Sequence, residues 1–146
     1  MKFTCTVIIE KPIDQVANLF INPDNLKEYQ DGFLRKELVS GTPAQVGTIS
    51  KMFYLQGKRE MEITETVTLN NLPNEFSGFY HHIHMDNTMT NRFTALGENR
   101  TQYDAEIEYT VLRGFMVKAM AFLFPSMFKK QVQKWLDQFK VFAEKQ

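Results

Sequence analysis

The chain ends in the sequence FMVKAMAFLFPSMFKKQVQKWLDQFKVFAE, residues 115–144, and this stretch decides the fold. Its large apolar residues recur at the three- and four-residue spacing of an amphipathic helix. They are Met116, Met120, Leu123, Met127, Phe128, Val132, Trp135, Leu136, Phe139 and Phe142. Pro125 predicts a kink, or a restart of the helix at Ser126, because proline lacks a backbone donor and clashes with the preceding turn. From Ser126 to Glu144 such a helix is about 29 Å long, enough to cover a ten-residue strand of roughly 33 Å.

Short segments with strand patterns fill most of the chain before this helix. The first strand is predicted where Phe3, Cys5, Val7 and Ile9 alternate with mostly polar residues. Two short helices follow, the second of them opened by Asn22-Pro23 as cap and first-turn proline. Further strands are predicted at Phe33–Ser40, Thr48–Gln56, Glu60–Asn70, Glu75–Met85, Thr88–Leu96 and Thr101–Val111. The turn-rich breaks between them are short, which predicts antiparallel neighbours.

Composition limits the classes of function. The 146 residues suit a single domain spanning 1–146, and 43% hydrophobic content is enough for a core. The net charge of zero argues against a nucleic-acid partner. Cys5 is the only cysteine, which fits a reducing, cytoplasmic location. No cofactor or catalytic motif is evident, and the apolar run Phe115–Phe124 is about half the length that a transmembrane segment needs.

Several loose motifs gain specificity from their order. The first strand ends in Lys11-Pro12-Ile13-Asp14-Gln15-Val16, Asn22–Tyr29 follows, Gln45-Val46-Gly47 opens a strand, and Leu72–Phe76 separates two more before the long helix. In this order the chain resembles the START-like superfamily, also called Bet v 1-like or SRPBCC, in its polyketide cyclase/dehydrase-like branch. Tyr29 stands where many relatives have tryptophan.

That resemblance implies an α+β helix-grip fold. An antiparallel curved sheet of about six to seven strands would wrap around the C-terminal helix, with a cavity between the two layers. The superfamily includes lipid carriers, hormone and polyketide binders, cyclases and co-chaperone-type domains. It has no universal catalytic motif, so the resemblance supplies a cavity and no catalytic residue.

Alternation within the strands predicts which side chains face that cavity. Odd-numbered residues of Glu60–Asn70 and Thr101–Val111 are mainly apolar and should point inward, with Glu65 as the polar exception. Turns at Asn70–Asn74 and at Asp86-Asn87 would place Glu65 opposite His81, and His81 opposite Asn91. Because opposed side chains have Cβ atoms about 5 Å apart, these three would form a polar row on the cavity wall.

The polar row and the apolar residues around it make up the predicted ligand-binding set. Its members are Met61, Ile63, Glu65, Phe79, His81, Asn91, Phe93, Tyr103, Ile107, Met116 and Met120. The row either orients a ligand or is a self-satisfied structural network, because buried polar groups need partners. A cavity packed solid, or a His81 side chain in bulk water, would contradict the carrier interpretation.

Three functions remain open from the sequence. The first is binding of a small apolar or amphipathic molecule. The second is a cyclase- or dehydrase-type enzyme with Glu65 and His81 as the general acid and base. The third is a partner-binding module whose cavity is filled by side chains and whose Phe115–Phe124 segment makes the contact. The sequence leaves the ligand and the oligomeric state open.

Two further patterns have competing interpretations. Phe115–Phe124 is either a lid over the cavity, hinged at Gly114 and Pro125, or a buried helix start. His82 and His84 share one strand face at a spacing that some zinc sites use, but a third ligand is missing and that face is expected to meet solvent. We therefore predict no metal site.

Overall fold

Seven strands and four helices follow one another in the computed structural model, which describes residues 1–146. The strands are β1 (Lys2–Ile9), β2 (Phe33–Ser40), β3 (Ile49–Gln56), β4 (Arg59–Asn71), β5 (Glu75–His82), β6 (Met85–Gly97) and β7 (Arg100–Leu112). The helices are α1 (Ile13–Ile21), α2 (Leu26–Tyr29), α3 (Phe115–Leu123) and α4 (Pro125–Glu144). A short 3-10 turn, Pro23–Asn25, leads into α2.

All seven strands form one antiparallel sheet in the order β1-β7-β6-β5-β4-β3-β2. Strands β2 to β7 are joined as consecutive neighbours, and β1 completes the sheet by pairing with β7. Helix α4 packs along β1 and against α2. This is the predicted helix-grip fold, with a curved sheet, a long C-terminal helix and two short helices after β1.

The helix boundaries follow local signals in the sequence. The Asn22 side chain accepts a hydrogen bond from the backbone N–H of Asp24 at 3.0 Å, as expected of a cap before a first-turn proline. Phe124 leaves helical geometry with φ −132° and ψ 55°, which separates α3 from α4. The predicted restart is confirmed, one residue earlier than Ser126, with Pro125 as the first residue of α4.

The predicted register is wrong in both the β4–β5 and the β5–β6 hairpins. In the β5–β6 hairpin the predicted position of the turn is also wrong. The turn falls at Ile83-His84, because β5 ends at His82 and β6 begins at Met85. Asp86, predicted as a turn residue, lies inside β6, where the Arg113 guanidinium binds its carboxylate. This long-range ion pair outweighs the turn preference of the Asp86-Asn87 dipeptide.

The observed pairing separates the three members of the predicted polar row. Glu65 lies opposite Tyr80, Thr64 lies opposite His81, and His81 lies opposite Asp86. Asn91 is paired instead with Phe76. A one-residue shift in register turns a side chain to the other face of the sheet, so His81 cannot join Glu65 and Asn91.

The inward face of β5 carries its even-numbered residues, contrary to the prediction. Phe76 and Gly78 are buried, Tyr80 and His82 line the interior, and Phe79 lies on the outer face with His81. Both faces hold aromatic residues, so alternation alone does not identify the buried one. In β4, Met61, Ile63, Glu65 and Val67 face inward as predicted, but a bulge between Val67 and Leu69 turns Leu69 outward.

The core is densest around the second half of α4. Leu136, Phe139 and Ala143 are the buried residues of this helix. Phe20 on α1 makes edge-on contacts with the rings of four residues, with centroids 5.2–6.4 Å apart. The four are Phe76, Phe93, Tyr103 and Phe139. Such pairs add to the free energy of burial, so this aromatic cluster fixes α1 and α4 on the sheet.

We expect Phe139→Ala to lower the free energy of unfolding by about 3–5 kcal/mol, because Phe139 is 1% exposed and its loss leaves a cavity. Urea titration followed by circular dichroism measures the change. Phe122→Ala is the matched control: this side chain is 84% exposed, so the effect should stay within about 0.5 kcal/mol. Equal losses in the two variants would contradict this placement of α4.

Candidate functional site: a cavity beneath α3 and α4

A cavity of about 570 Å³ lies between the inner face of the sheet and the helices. Of its 33 lining residues, 23 are hydrophobic. The sheet contributes inward residues of β3 to β7, and α4 contributes Met127, Phe128, Val132 and Trp135. Val117 and Met120 bring α3 over the same space. The lining residues Met120, Met127 and His84 are also solvent exposed. The cavity therefore opens to solvent between the α3–α4 junction and the β5–β6 turn.

Most residues of the predicted ligand-binding set lie on the cavity wall. Those that line it are Met61, Ile63, Glu65, Asn91, Tyr103, Ile107 and Met120. Four do not: Phe79, His81, Phe93 and Met116. Phe79 and His81 lie on the outer face of β5, Phe93 is buried against Phe20, and Met116 is 76% exposed on the outer side of α3.

Glu65 is a buried carboxylate with a partner at each oxygen. Lys36 Nζ lies 2.8 Å from Oε1, and the Tyr80 hydroxyl donates to Oε2 at 2.8 Å. Burial, with a further contribution from the Glu65 charge, raises the pKa of Tyr80 well above its usual range, so Tyr80 remains a neutral donor. The expected need for partners is met by Lys36 and Tyr80 rather than by His81.

Asn91 and Tyr103 form a second buried polar pair. The Tyr103 hydroxyl donates to Asn91 Oδ1 at 2.7 Å, and Asn91 Nδ2 donates to the backbone carbonyl of Phe76 at 3.3 Å. Burial is the main cause that raises the pKa of Tyr103 well above its usual range. The polar groups of Asn91 and Tyr103 therefore have hydrogen-bond partners within the protein. For Asn91 this agrees with the alternative interpretation of a self-satisfied structural network.

His81 belongs to a cluster outside the cavity. Its side chain is half exposed, and Nδ1 lies 2.6 Å from Asp86 Oδ1. Arg113 binds both carboxylate oxygens of Asp86, and its hydrogen bond is the main cause that lowers the pKa of Asp86. The imidazole of His81 cannot reach a molecule in the cavity, so the carrier interpretation fails in the form that relied on His81, and ligand binding can rest only on the open cavity itself. The hypothesis of a Glu65–His81 acid–base pair is therefore wrong.

His82 and His84 line the cavity near its opening; His82 is half-buried, contrary to the expected solvent exposure, whereas His84 is exposed as expected. Their ring centroids are 5.4 Å apart, and His82 Nδ1 accepts a hydrogen bond from the backbone N–H of His84 at 3.2 Å. Burial, assisted by the neighbouring charges of His84 and His81, lowers the pKa of His82 and favours its neutral form. No group of three potential metal ligands is present, so this pair gives no evidence of a metal centre.

Trp135 is one of the lining residues that the predicted site set omitted. Its ring stacks on that of Tyr54 with centroids 5.9 Å apart, and Tyr54 donates its hydroxyl proton to Gln30 Oε1 at 2.7 Å. The indole nitrogen of Trp135 is buried and has no hydrogen-bond partner. A buried donor of this kind is uncommon and can serve a ligand acceptor. Trp135 lies on the apolar stripe of the last helix, and this position in the sequence could have placed it in the predicted ligand-binding set.

A second depression lies on the outside of the molecule between α2 and the end of α4. It measures about 850 Å³, but it is shallow and only four of its 14 lining residues are hydrophobic. Charged side chains such as Lys27, Asp31, Lys134 and Lys145 dominate it. This surface groove lacks the enclosed apolar lining of a small-molecule site, so the inner cavity is the candidate.

No protein-family model matches the chain, and no curated protein sequence does. Solved structures match it over nearly its whole length. The Zhui aromatase/cyclase from Streptomyces sp. R1128 has a TM-score of 0.82 at 11% identity, covering 99% of this chain and 93% of that one. Ara h 8.0201 has a TM-score of 0.77 at 8% identity, covering 100% and 99%. TTHA0849 from Thermus thermophilus has a TM-score of 0.77 at 17% identity, covering 98% and 97%.

These likenesses confirm the predicted fold, which aromatase/cyclases share with Bet v 1-like proteins. At identities of 8–17% they show the architecture alone. None of the helices is both long and apolar enough to cross a membrane.

We expect Lys36→Met to destabilise the protein by about 1–3 kcal/mol at pH 7, because the buried Glu65 carboxylate loses its cation. Urea unfolding at pH 7 measures the effect, and Lys36→Met/Glu65→Gln should lose less than the sum of the single variants, because the second substitution removes the uncompensated carboxylate.

Lys51→Met is the control for this experiment, because Lys51 forms an exposed ion pair with Glu62 on the same sheet. Its effect should be below about 1 kcal/mol. A loss in Lys36→Met/Glu65→Gln that equals the sum of the two single-variant losses would contradict the pairing of Lys36 with Glu65.

Asp86 should contribute to the acid stability of the fold. Its folded pKa lies below the ordinary 3.8, so its contribution is complete above that value and is lost as the pH falls through the lowered pKa. Arg113→Gln removes the main cause of the lowered pKa of Asp86. The free energy of unfolding should therefore depend less on pH below 3.8. Thermal unfolding across the acid range measures this. Arg100→Gln, which breaks an exposed pair with Glu10, should leave that slope unchanged, and an unchanged slope in Arg113→Gln would refute the assignment.

Proposed function

We propose that this protein binds a small apolar or amphipathic molecule in the cavity between its sheet and its C-terminal helices. The observation that carries the proposal is about 570 Å³ of space with a lining that is mainly hydrophobic. Small-molecule sites usually have this size and this apolar character, with a few polar groups that fix orientation. The lining residues Met61, Ile63, Ile107 and Met120 would supply the apolar contacts.

The polar end of the ligand would meet groups that the protein itself does not use. Glu65 and Asn91 are already paired, so they shape the wall and offer at most their remaining lone pairs. Trp135 lines the cavity and its buried indole N–H has no partner in the protein, so this group would donate to a carbonyl or ether oxygen once a small rotation of the ring brings it to the cavity surface. His82, held neutral by burial, offers a second polar contact near the opening. A ligand with a hydrogen-bond acceptor therefore fits better than a pure hydrocarbon.

The two alternatives have less support. A cyclase- or dehydrase-type reaction loses its proposed base, since His81 lies on the outer face of the sheet. One of the similar structures is named an aromatase/cyclase, but that name describes that protein. A filled cavity is disfavoured by the open volume, because the aromatic cluster around Phe20 occupies only the end of the interior near α1. We place the binding activity in one domain, 1–146, in a reducing cytoplasm that suits the lone buried Cys5.

Trp135 makes the proposal directly testable, because it is the only tryptophan of the chain and lines the cavity. We expect the apolar probe anilinonaphthalene sulfonate to bind with saturation and to change the emission of Trp135. Val132→Phe, which narrows the cavity from α4, should weaken binding roughly tenfold, in line with the cost of overpacking. Val141→Phe is the matched control on the same helix, exposed and outside the cavity.

Equal probe affinity in both variants would overturn the cavity as the binding site. Native mass spectrometry of protein purified from its source organism then identifies the natural ligand. We expect a mass increment that Val132→Phe reduces and Val141→Phe keeps.

A further inference from the structure

Helix α3 is apolar on both of its faces. Val117 and Met120 point toward the cavity, as the lining of that space requires. Phe115, Met116, Phe122 and Leu123 recur at the seven-residue spacing of one helix face and are 86%, 76%, 84% and 63% exposed. A helix on a protein surface normally turns polar residues to water. The interpretation of this segment as a buried helix start is therefore wrong, and its outer face is an exposed apolar patch of the kind that marks an interaction site.

The charge around this patch has one sign. From Tyr109 to Leu136 the chain contains five cationic residues and no carboxylate, although the net charge of the whole chain is zero. Arg113 is paired with Asp86 and Lys134 with Asp31. The other three, Lys118, Lys129 and Lys130, are exposed and take part in no ion pair. The exposed apolar face is thus flanked by unneutralised positive charge.

The patch also offers few groups for directional hydrogen bonds. Between Gly114 and Phe128 the only polar side chains are those of Lys118 and Ser126. A protein partner usually meets a rim of hydrogen-bonding groups around an apolar centre. A bilayer needs no such groups, because its acyl chains bury apolar side chains and its anionic headgroups attract the positive charge of lysine.

We propose that α3, together with the first two turns of α4, is a docking surface for an anionic phospholipid bilayer. We call it the α3 surface and define it by Phe115, Met116, Phe122, Leu123 and the flanking Lys118, Lys129 and Lys130. At nine residues, α3 is about 14 Å long and lies in the interface rather than across a hydrocarbon core of about 30 Å. Phe115 and Phe122 enter the acyl region, and the lysines meet headgroup phosphates.

The α3 surface lies beside the opening of the cavity. Val117 and Met120 on the opposite face of the same helix line the cavity, which opens beside them. The chain reaches α3 through Gly114, whose φ of +88° and ψ of 152° form a conformation that few other residues adopt. A bilayer bound to the α3 surface therefore lies next to the cavity opening. Docking itself is independent of the ligand proposal, because it uses the other face of α3.

Co-sedimentation with vesicles tests the docking. We expect the protein to bind vesicles of phosphatidylcholine mixed with phosphatidylglycerol, to bind pure phosphatidylcholine vesicles much less, and to be released by salt. Phe115→Ser/Phe122→Ser and Lys129→Glu/Lys130→Glu should each reduce partitioning to the anionic vesicles by at least about tenfold. Thermal unfolding checks that these exposed substitutions leave the fold intact.

Two controls separate this site from the general surface. Leu38→Ser/Val39→Ser removes exposed apolar side chains from β2, and Lys58→Glu reverses a charge in the β3–β4 turn. Both should bind the anionic vesicles like the unaltered protein. Equal losses in the controls, or equal binding to both vesicle types, would overturn the proposal. So would light scattering that finds a dimer which Phe115→Ser/Phe122→Ser dissociates, since the patch would then be covered by a second copy.

Discussion

The packing of α4 on the sheet is the interaction on which the rest of the structure depends. Only the second half of this helix is buried, at Leu136, Phe139 and Ala143, where the ring of Phe20 and its aromatic neighbours fill the interior. The first half carries Met127, Phe128 and Val132, which are less buried and line the cavity, while Leu136 and Phe139 form the wall at its packed end. One amphipathic helix thus closes the core at one end and leaves the other end hollow. The cavity follows from this uneven filling rather than from a dedicated loop or insertion.

The polar groups around that cavity separate into two kinds. Glu65 and Asn91 have partners inside the protein, and the loss of these hydrogen bonds would cost folding free energy. Trp135 and His82 retain capacity that the protein does not use, either as an unpartnered donor or as a neutral imidazole. In the proposed binding site, stability and ligand recognition would therefore rest on neighbouring but different side chains. This division lets a mainly apolar cavity hold charged Glu65 without exposing a ligand to an unpaired carboxylate.

Much of the fold could be predicted because the decisive patterns are local. Alternation in β4 up to Val67 and in β7 up to Tyr109, the Asn22-Pro23 cap and Pro125 each act within a few residues, and these predictions are confirmed, whereas Leu69 and Val111 are exposed rather than inward. The β5–β6 register could not be found in this way, since Asp86 takes its place through Arg113, 27 residues later. Lys36 on β2 likewise pairs with Glu65 on β4 across the intervening strand β3. A pattern of neighbouring residues in the sequence cannot predict such a pair. With aromatic residues on both faces of β5, the inward position of His82 also had no clear local signal.

The pairing of β1 with β7 has a consequence for how the protein is made. Lys2 lies opposite Glu108 and Ile9 opposite Thr101, so the first strand synthesised waits for one of the last. Helix α4, against which β1 packs, is translated later still. On a ribosome that adds roughly 5–20 residues per second, the apolar side of the growing sheet stays uncovered for several seconds. The apolar face of the sheet is therefore covered only after α4 has been synthesised.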